Sequence, residues 1–167
     1  MLKLKNQKGF TLIEFILVVS LLGILSLSFL SDFSFDRLHL SNAEEKLIAD
    51  IDYAKKRAMT TGVVHGVNFN PSQNSYSVFE SSLGNTLPSP YQSNQSMFID
   101  YDTDERFQGV SLLNVFTGFG DAIYFDAQGR LTDSDGVPFS AGATVTLQGA
   151  GTTIVLNINE LGGVQSS

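Results

Sequence analysis

Apolar residues are continuous in one stretch near the start of the chain. From Phe10 to Leu30 the only charged residue is Glu14. A helix of about 20 residues crosses a hydrocarbon core of roughly 30 Å, so this run predicts a single membrane-spanning helix. Glu14 does not suit an ordinary anchor, because a carboxylate near the start of such a segment needs a compensating partner. No cation lies beside it in the sequence.

Further along, apolar residues recur at spacings of three and four. This stripe predicts an amphipathic helix that packs on a sheet or a neighbouring helix, and Gly62 supplies its end. Ser41 and Glu44 have the spacing of a capping box, so a new helix starting near Asn42 is one interpretation. We favour one long helix with a kink or loosened turn between about Ser31 and Ser41, since no Pro or Gly forces a break. The stripe consists of Leu40, Ala43, Leu47, Ile51, Ala54 and Ala58, widened by Ile48.

The charged residues of this helix, Asp50 among them, fall mostly off the stripe. Asp52 and Lys56 have the order of a favourable i,i+4 ion pair. The basic triplet 55–57 lies where it opposes the C-terminal end of the helix dipole, and we interpret it as a helix terminus rather than a binding patch.

Beyond Gly62 the apolar period changes to two, which is typical of strands. The polar segment 81–96 contains Gly and Pro and is predicted to be an exposed loop. A long helix followed by antiparallel strands is an α+β architecture, with the helix as a spine packed on a sheet. The predicted strands are a hairpin of 63–69 and 76–80, short strands at 97–101, 109–116 and 122–125, and a second hairpin of 143–147 and 152–158.

Charge narrows the choice of partners. The formal net charge is −7, and no cysteine is present for disulfides, thiolate metal sites or cysteine nucleophiles. After Ala58 the only Lys or Arg residues are Arg106 and Arg130. Binding of nucleic acid relies on clustered cations, so DNA is not an expected partner of this part. The acids there are Glu80, Asp100, Asp102, Asp104, Glu105, Asp121, Asp126, Asp133, Asp135 and Glu160.

The junction before the apolar run offers a reason for the carboxylate of Glu14 within that run. A short leader with three lysines gives way at Gly9 and Phe10 to the apolar run, with no small-residue cleavage site between them. A cut between Gly9 and Phe10 would create an α-amino group four residues from Glu14, on the same helix face. Within one chain this pair is awkward, but between staggered chains of a bundle the amine of one neutralises the carboxylate of the next. Glu14 is therefore a predicted assembly residue.

Residues 8–14, KGFTLIE, followed by a long apolar helix, closely resemble the leader and mature N-terminus of type IV pilins and of the pseudopilins of type II secretion. The resemblance implies that a membrane aspartyl peptidase, the prepilin peptidase, cleaves after Gly9 and methylates Phe10. It also implies that Glu14 helps to register subunits in a filament. Many members have a proline early in the second half of this helix, whereas the first proline here is Pro71.

Three later segments resemble the minor pilins and pseudopilins that include the H-type subunit of type II secretion. They are 50–62, 123–130 and 158–164, and a minor pilin of mannose-sensitive haemagglutinin type pili has a similar closing segment. The expected organisation is a cleaved leader (1–9), a transmembrane and polymerisation helix (10–30), its amphipathic continuation (31–62) and a β-rich head (63–167). Lysines before the span place the N-terminus in the cytoplasm and the head in the periplasm.

One acidic segment has a pattern that begins like a calcium loop. Asp100, Asp102 and Asp104 offer oxygen ligands on alternate residues, but Arg106 and Ser111 stand where an EF-hand has Gly and Glu. We favour a solvated acidic loop over a calcium site. No nucleophile elbow, phosphate loop or H-E-x-x-H helix is present in the sequence, so no catalytic residue and no enzyme activity are predicted.

The sequence therefore predicts a minor pilin or pseudopilin, anchored in the inner membrane and assembled with other subunits of its kind. Two alternatives remain open. A DNA-uptake minor pilin of the same fold would need exposed cations on the head. An unprocessed single-span protein with a periplasmic binding domain would tolerate substitution of Gly9 and Glu14.

Overall fold

The computed structural model describes residues 11–30, 35–90, 94–118 and 120–167. The chain divides into two units, Met1–Ser34 and Phe35–Ser167. Helix α1, Leu12–Leu30, belongs to the first unit, and helix α2, Phe35–Thr61, opens the second. The described strands of the second unit are β1 His65–Asn70, β2 Ser75–Glu80, β3 Phe98–Asp100, β4 Ser111–Phe116, β5 Ala122–Phe125, β6 Leu131–Thr132, β7 Ala143–Gly149, β8 Thr152–Ile158 and β9 Val164–Ser166.

Helix α2 confirms the predicted amphipathic stripe. The six residues of the stripe are at most 3% exposed. The helix is already formed at Phe35 and passes through Ser41 without a break, so the alternative start near Asn42 is not observed. Part of the predicted kink falls on 31–34, which lie outside the described residues. Gly62, at a φ of +72°, ends the helix as predicted, and its N–H donates to the Ala58 carbonyl at 2.9 Å.

The strands form two antiparallel sheets where the sequence predicts one. In the described part of the chain, the first sheet has the order β3-β2-β1-β5-β6 and the second has the order β4-β7-β8-β9. Both predicted hairpins are confirmed, β1 with β2 and β7 with β8. The α+β class is therefore correct, and the division into two sheets and the short strands β6 and β9 are new.

Helix α2 packs on both sheets, which places the core along one side of the helix. Its first half lies against β7, where a Cβ added to Gly149 would be 3.2 Å from the Cβ of Leu40. The helix also packs on β1, β2 and β5. Alternate residues of these strands, such as Val67, Val78 and Ile123, sit side by side in register and face the same core.

Two residues are buried where the sequence predicts exposure. Asp50 is 2% exposed, so it is an exception to the expectation that charged residues of α2 lie off the stripe. Leu87, in the segment predicted to be an exposed loop, is 5% exposed because its backbone follows β2: the Leu87 N–H donates to the Val78 carbonyl at 2.8 Å. The loop thereby adds an apolar side chain to the core.

Candidate processing and assembly site

The first turn of α1 is closed by a capping box formed by Thr11 and Glu14. The Glu14 N–H donates to Thr11 Oγ1 at 3.3 Å, and the Thr11 N–H donates to Glu14 Oε2 at 3.2 Å. The Thr11 hydroxyl also donates to Oε2 at 3.1 Å. A helix leaves its first N–H groups without intrahelical partners, and this reciprocal pair satisfies two of them.

The capping box gives Glu14 a local partner that the sequence analysis missed. The signal was present, since Thr11 and Glu14 have the T-x-x-E spacing. Both contacts use Oε2, and Oε1 accepts no hydrogen bond from the residues that the structure describes. Gly9 and Phe10, the predicted processing residues, lie outside the described residues, as does any contact of the new amine with Glu14.

The surface of α1 is apolar on every side. Consecutive large side chains from Leu12 to Leu25 are between 43% and 79% exposed. The hydroxyls of Ser20 and Ser26 donate to the carbonyls of Ile16 and Leu22, both at 2.8 Å, so neither alters that character. Among the described residues, no helix combines the length and apolarity required to cross a membrane.

The acidic loop after β3 uses its carboxylates separately. Asp100 Oδ1 accepts from the Asp102 N–H at 2.9 Å, and Asp102 Oδ1 accepts from Asn74 Nδ2 at 2.6 Å. Asp104 pairs with Arg106 through Nε at 2.9 Å and Nη2 at 2.6 Å. The hydrogen bond from Arg106 lowers the pKa of Asp104. Across the described residues, no three carboxylates or histidines are grouped as a metal site would require.

A buried polar cluster connects α2 to the first sheet. Lys46 Nζ donates to both carboxylate oxygens of Asp50, at 2.6 and 2.5 Å, and the Tyr76 hydroxyl donates to Asp50 Oδ2 at 2.8 Å. Burial raises the pKa values of Tyr76 and Tyr101, so both phenols stay protonated. A cavity of about 360 Å³ lies beside this cluster, but its two cations, Lys46 and Arg106, are each already paired with a carboxylate.

The three segments that carry the minor-subunit resemblance meet at the end of α2. Lys55 Nζ donates to the carbonyls of Leu161 and Gly162, at 2.8 and 3.1 Å. A Cβ on Gly162 would lie 2.6 Å from the Gly129 carbonyl oxygen, so the two loops touch through backbone. Lys55 was predicted only to oppose the helix dipole. Its partners are more than 100 residues away in sequence, which local patterns do not reveal.

Comparisons with known proteins found a matching N-terminal motif and solved structures of similar fold. The family described as the prokaryotic N-terminal methylation motif matches residues 4–30, and a comparison with curated proteins found no match. The chain is similar to the minor pseudopilin EpsH from the Type 2 Secretion System of Vibrio cholerae, with a TM-score of 0.54 and 10% identity over 77% of this chain and 96% of that one. It is also similar to the type IV minor pilin FimU of Pseudomonas aeruginosa, with a TM-score of 0.53 and 19% identity over 78% and 90% of the two chains.

The chain carries the N-terminal methylation motif of prokaryotic pilins and has a pilin-like fold. The methylation motif covers Gly9, Phe10 and Glu14, and the likeness to the solved structures shows a pilin-like fold over 77% to 78% of the chain. The resemblance read from residues 8–14 and the predicted α+β class are thereby confirmed. The roles of the individual residues in this pilin-like chain stay predictions.

Proposed function

We propose that this pilin-like chain is a minor pilin or pseudopilin, a structural filament subunit with no catalytic step. It is cleaved between Gly9 and Phe10 by a prepilin peptidase, methylated at Phe10, and assembled in a type II secretion pseudopilus or a type IV pilus. The observation that carries the proposal is α1, which lies within the methylation motif and whose apolar side chains are exposed on every side. Such a surface is stable in water only when other apolar groups cover it.

The same surface supports a location. Before assembly, lipid tails of the inner membrane cover α1, with the basic leader in the cytoplasm and the second unit in the periplasm. After assembly, α1 helices of other pilin subunits replace the lipid. In a medium as apolar as lipid, helix packing supplies little hydrophobic gain, so polar groups decide the register. Glu14 is the only charged residue between Phe10 and Leu30, and it is positioned at the start of α1 for that role.

Processing is tested by intact-mass and N-terminal peptide analysis of the membrane-extracted protein, from cells with and without the prepilin peptidase. The expected chain begins at N-methylated Phe10 only when the peptidase is present. A control variant, Gly84→Ala, changes a glycine with open space around it and should be processed normally. If residues 1–9 were retained in both strains, the α-amino group that Glu14 is proposed to pair with would not form. That result would contradict the proposal that the chain is a filament subunit.

Registration is tested separately from capping with three variants. Glu14→Gln keeps an acceptor for the Thr11 N–H but removes the charge, Glu14→Val removes both, and Thr11→Val removes the hydroxyl while keeping the charge. If the carboxylate pairs with an amine of another subunit, both Glu14 variants insert in the membrane but lose filament incorporation, whereas Thr11→Val retains most of it. Normal incorporation of Glu14→Gln together with failure of Thr11→Val would show that Glu14 acts only within its own helix.

A further inference from the structure

In the part of the chain that the structure describes, the two sheets end in four edge strands, and one differs from the other three. β3, β6 and β9 have three, two and three residues, whereas β4 has six. Proteins commonly protect sheet edges by keeping the edge strand short or by placing charges or proline on it. β4 has the sequence SLLNVF, so it is longer than the other edges and has neither charge nor proline; its protection is limited to a bulge at Leu113 and contact with the Pro71–Gln73 turn.

The exposed side chains of β4 are mainly apolar. Leu113 is 46% exposed and Phe116 is 67% exposed, and Val115 is half-buried. The pairing of β4 with β7 shifts between Leu112 and Asn114, which turns Leu113 outward in a bulge. An edge strand with this composition is a template on which another extended chain can pair.

Among the described residues, the backbone on the outer side of β4 has hydrogen-bond partners only at the beginning of the strand. Asn74 Nδ2 donates to the Val110 carbonyl at 2.9 Å, and Asn74 Oδ1 accepts from the Leu112 N–H at 2.7 Å. This side-chain amide therefore imitates one residue of a neighbouring strand. Beyond it, no strand within the described residues pairs with the outer side of 113–116, because β4 is the end of its sheet.

An acidic side chain, Asp102, lies at the same end of β4 as Asn74. Asp102 Oδ1 contacts Asn74 Nδ2 at 2.6 Å, and Asp102 is exposed. Arg106, four residues further along the chain, is paired with Asp104 instead. Charge complementarity thus favours an incoming chain that has cations at the end lying beside Asp102. A second copy of β4 has no cation to offer.

We propose that β4 binds an extended, apolar segment of a different protein by strand addition. The segment runs antiparallel to β4, which is the commoner pairing, and carries Lys or Arg at its C-terminal end, beside Asp102. Backbone hydrogen bonds along 113–116 supply affinity, and contacts with Leu113 and Phe116 supply selectivity. This proposal does not rest on filament assembly through α1, since a peptide can test it on the unassembled chain.

The test uses the full-length chain in detergent micelles and three synthetic peptides of about eight residues, alternating Val and Thr. One has two lysines at its C-terminus, one has them at its N-terminus, and one has two glutamates at its C-terminus. Binding is followed by fluorescence anisotropy, and backbone contact by amide hydrogen exchange. The peptide with C-terminal lysines should bind best and should slow amide exchange in 113–116. When Asp102 is changed to Asn, the affinity advantage of this peptide over the other two should become smaller.

Matched variants separate β4 from other exposed apolar positions. Phe116→Lys places a protective charge on β4 and should weaken binding about tenfold or more. Phe98→Lys makes the same change on β3, where Phe98 is 51% exposed, and should leave binding within about twofold. Equal binding of the three peptides, or no slowing of exchange in 113–116, would overturn the proposal. Slowed exchange there that depends on protein concentration without peptide would identify a second copy as the occupant instead, which also overturns it.

Discussion

Helices α1 and α2 use apolar residues in opposite ways. In α2 they form one stripe, which two sheets of the same unit bury, and Leu47 is 0% exposed there. In α1 they occupy every side, and Leu17 is 65% exposed. Burial of apolar area stabilises only the state in which that area is covered. The apolar side chains of α2 therefore stabilise the fold of the Phe35–Ser167 unit, whereas those of α1 are exposed and are proposed to be covered by lipid or by other subunits.

The largest expected effect separates the two helices by one matched substitution. Leu47→Ala removes a core side chain of the Phe35–Ser167 unit, which contains both α2 and the head. The change should lower the free energy of unfolding of this unit by about 3 kcal/mol, because it loses burial and leaves a cavity. Leu17→Ala makes the same change in α1 and should leave that free energy unchanged within about 0.5 kcal/mol. Urea unfolding of the full chain in detergent can be followed by tyrosine fluorescence, since the chain has five tyrosines and no tryptophan. A loss of similar size in both variants would mean that α1 stabilises the head.

The next effect concerns how α2 is attached through polar groups. Asp50→Ala leaves Lys46 and the Tyr76 hydroxyl without their shared acceptor and should cost about 2 kcal/mol, less than a fully buried pair because Lys46 keeps some access to water. Tyr76→Phe removes one hydrogen bond and should cost about 1 kcal/mol. The exposed pair of Lys56 and Asp52, at 3.7 Å, provides the control.

For that control, Lys56→Ala should change the free energy of unfolding by less than about 0.5 kcal/mol, since exposed ion pairs contribute little. The same urea titrations measure all three variants. If Asp50→Ala costs no more than Lys56→Ala, the buried cluster does not hold α2 to the first sheet.

How much of the fold the sequence predicts depends on whether the interactions are local or long-range along the chain. The period of α2 is local, so its buried face follows from spacing alone, and Gly62 marks its end for the same reason. The burial of Asp50 does not follow, because its partner Tyr76 lies on a strand that reaches it only through the tertiary fold. The pairing order of the strands is also long-range, which is why one sheet was expected and two are present.

The capping box at the start of α1 was not predicted, although its signal is local. Thr11 and Glu14 have the T-x-x-E spacing, but the cost of a carboxylate in an apolar run led to the prediction of an amine partner in another chain. The amine pairing proposed for Glu14 would not compete for the same atom, since the capping box uses only Oε2. A carboxylate that is proposed to act in assembly can thus also have a structural role within its own helix.

A smaller effect is expected from acid. A hydrogen bond from Arg106 lowers the pKa of Asp104. For Asp126, burial raises the pKa, but hydrogen bonds from Arg130 and Gln128 outweigh it, so the net change is also downward. A carboxylate whose pKa is lower in the folded state stabilises fully above its ordinary pKa near 4, and this contribution is lost as the pH falls through the lower folded value. The head should therefore lose stability below about pH 4 to 5, with no comparable loss between pH 5 and 7 from these groups.

The acid effect is checked by urea titrations at pH 7, 5, 4 and 3. Asp104→Asn should lower stability at pH 7 and flatten the loss on acidification, because the titrating group is gone. Asp135→Asn alters an exposed carboxylate that has no ion pair within the described residues, and it should leave the slope unchanged. An acid-induced loss that is the same in wild type and Asp104→Asn would exclude a contribution from this ion pair.

The smallest effect returns to the start of α1 and should remain local. Thr11→Val removes an N-cap, which is worth about 1 kcal/mol to the first turn of a helix. Since Thr11 and the head belong to different units, the urea midpoint of the head should not change, while amide exchange at Glu14 and Phe15 should become about fivefold faster. Glu14→Gln keeps the reciprocal acceptor and should preserve most of that protection. If Thr11→Val instead lowers the stability of the head, the two helices share one folding unit, and the contrast between an exposed α1 and a buried α2 no longer separates assembly from folding.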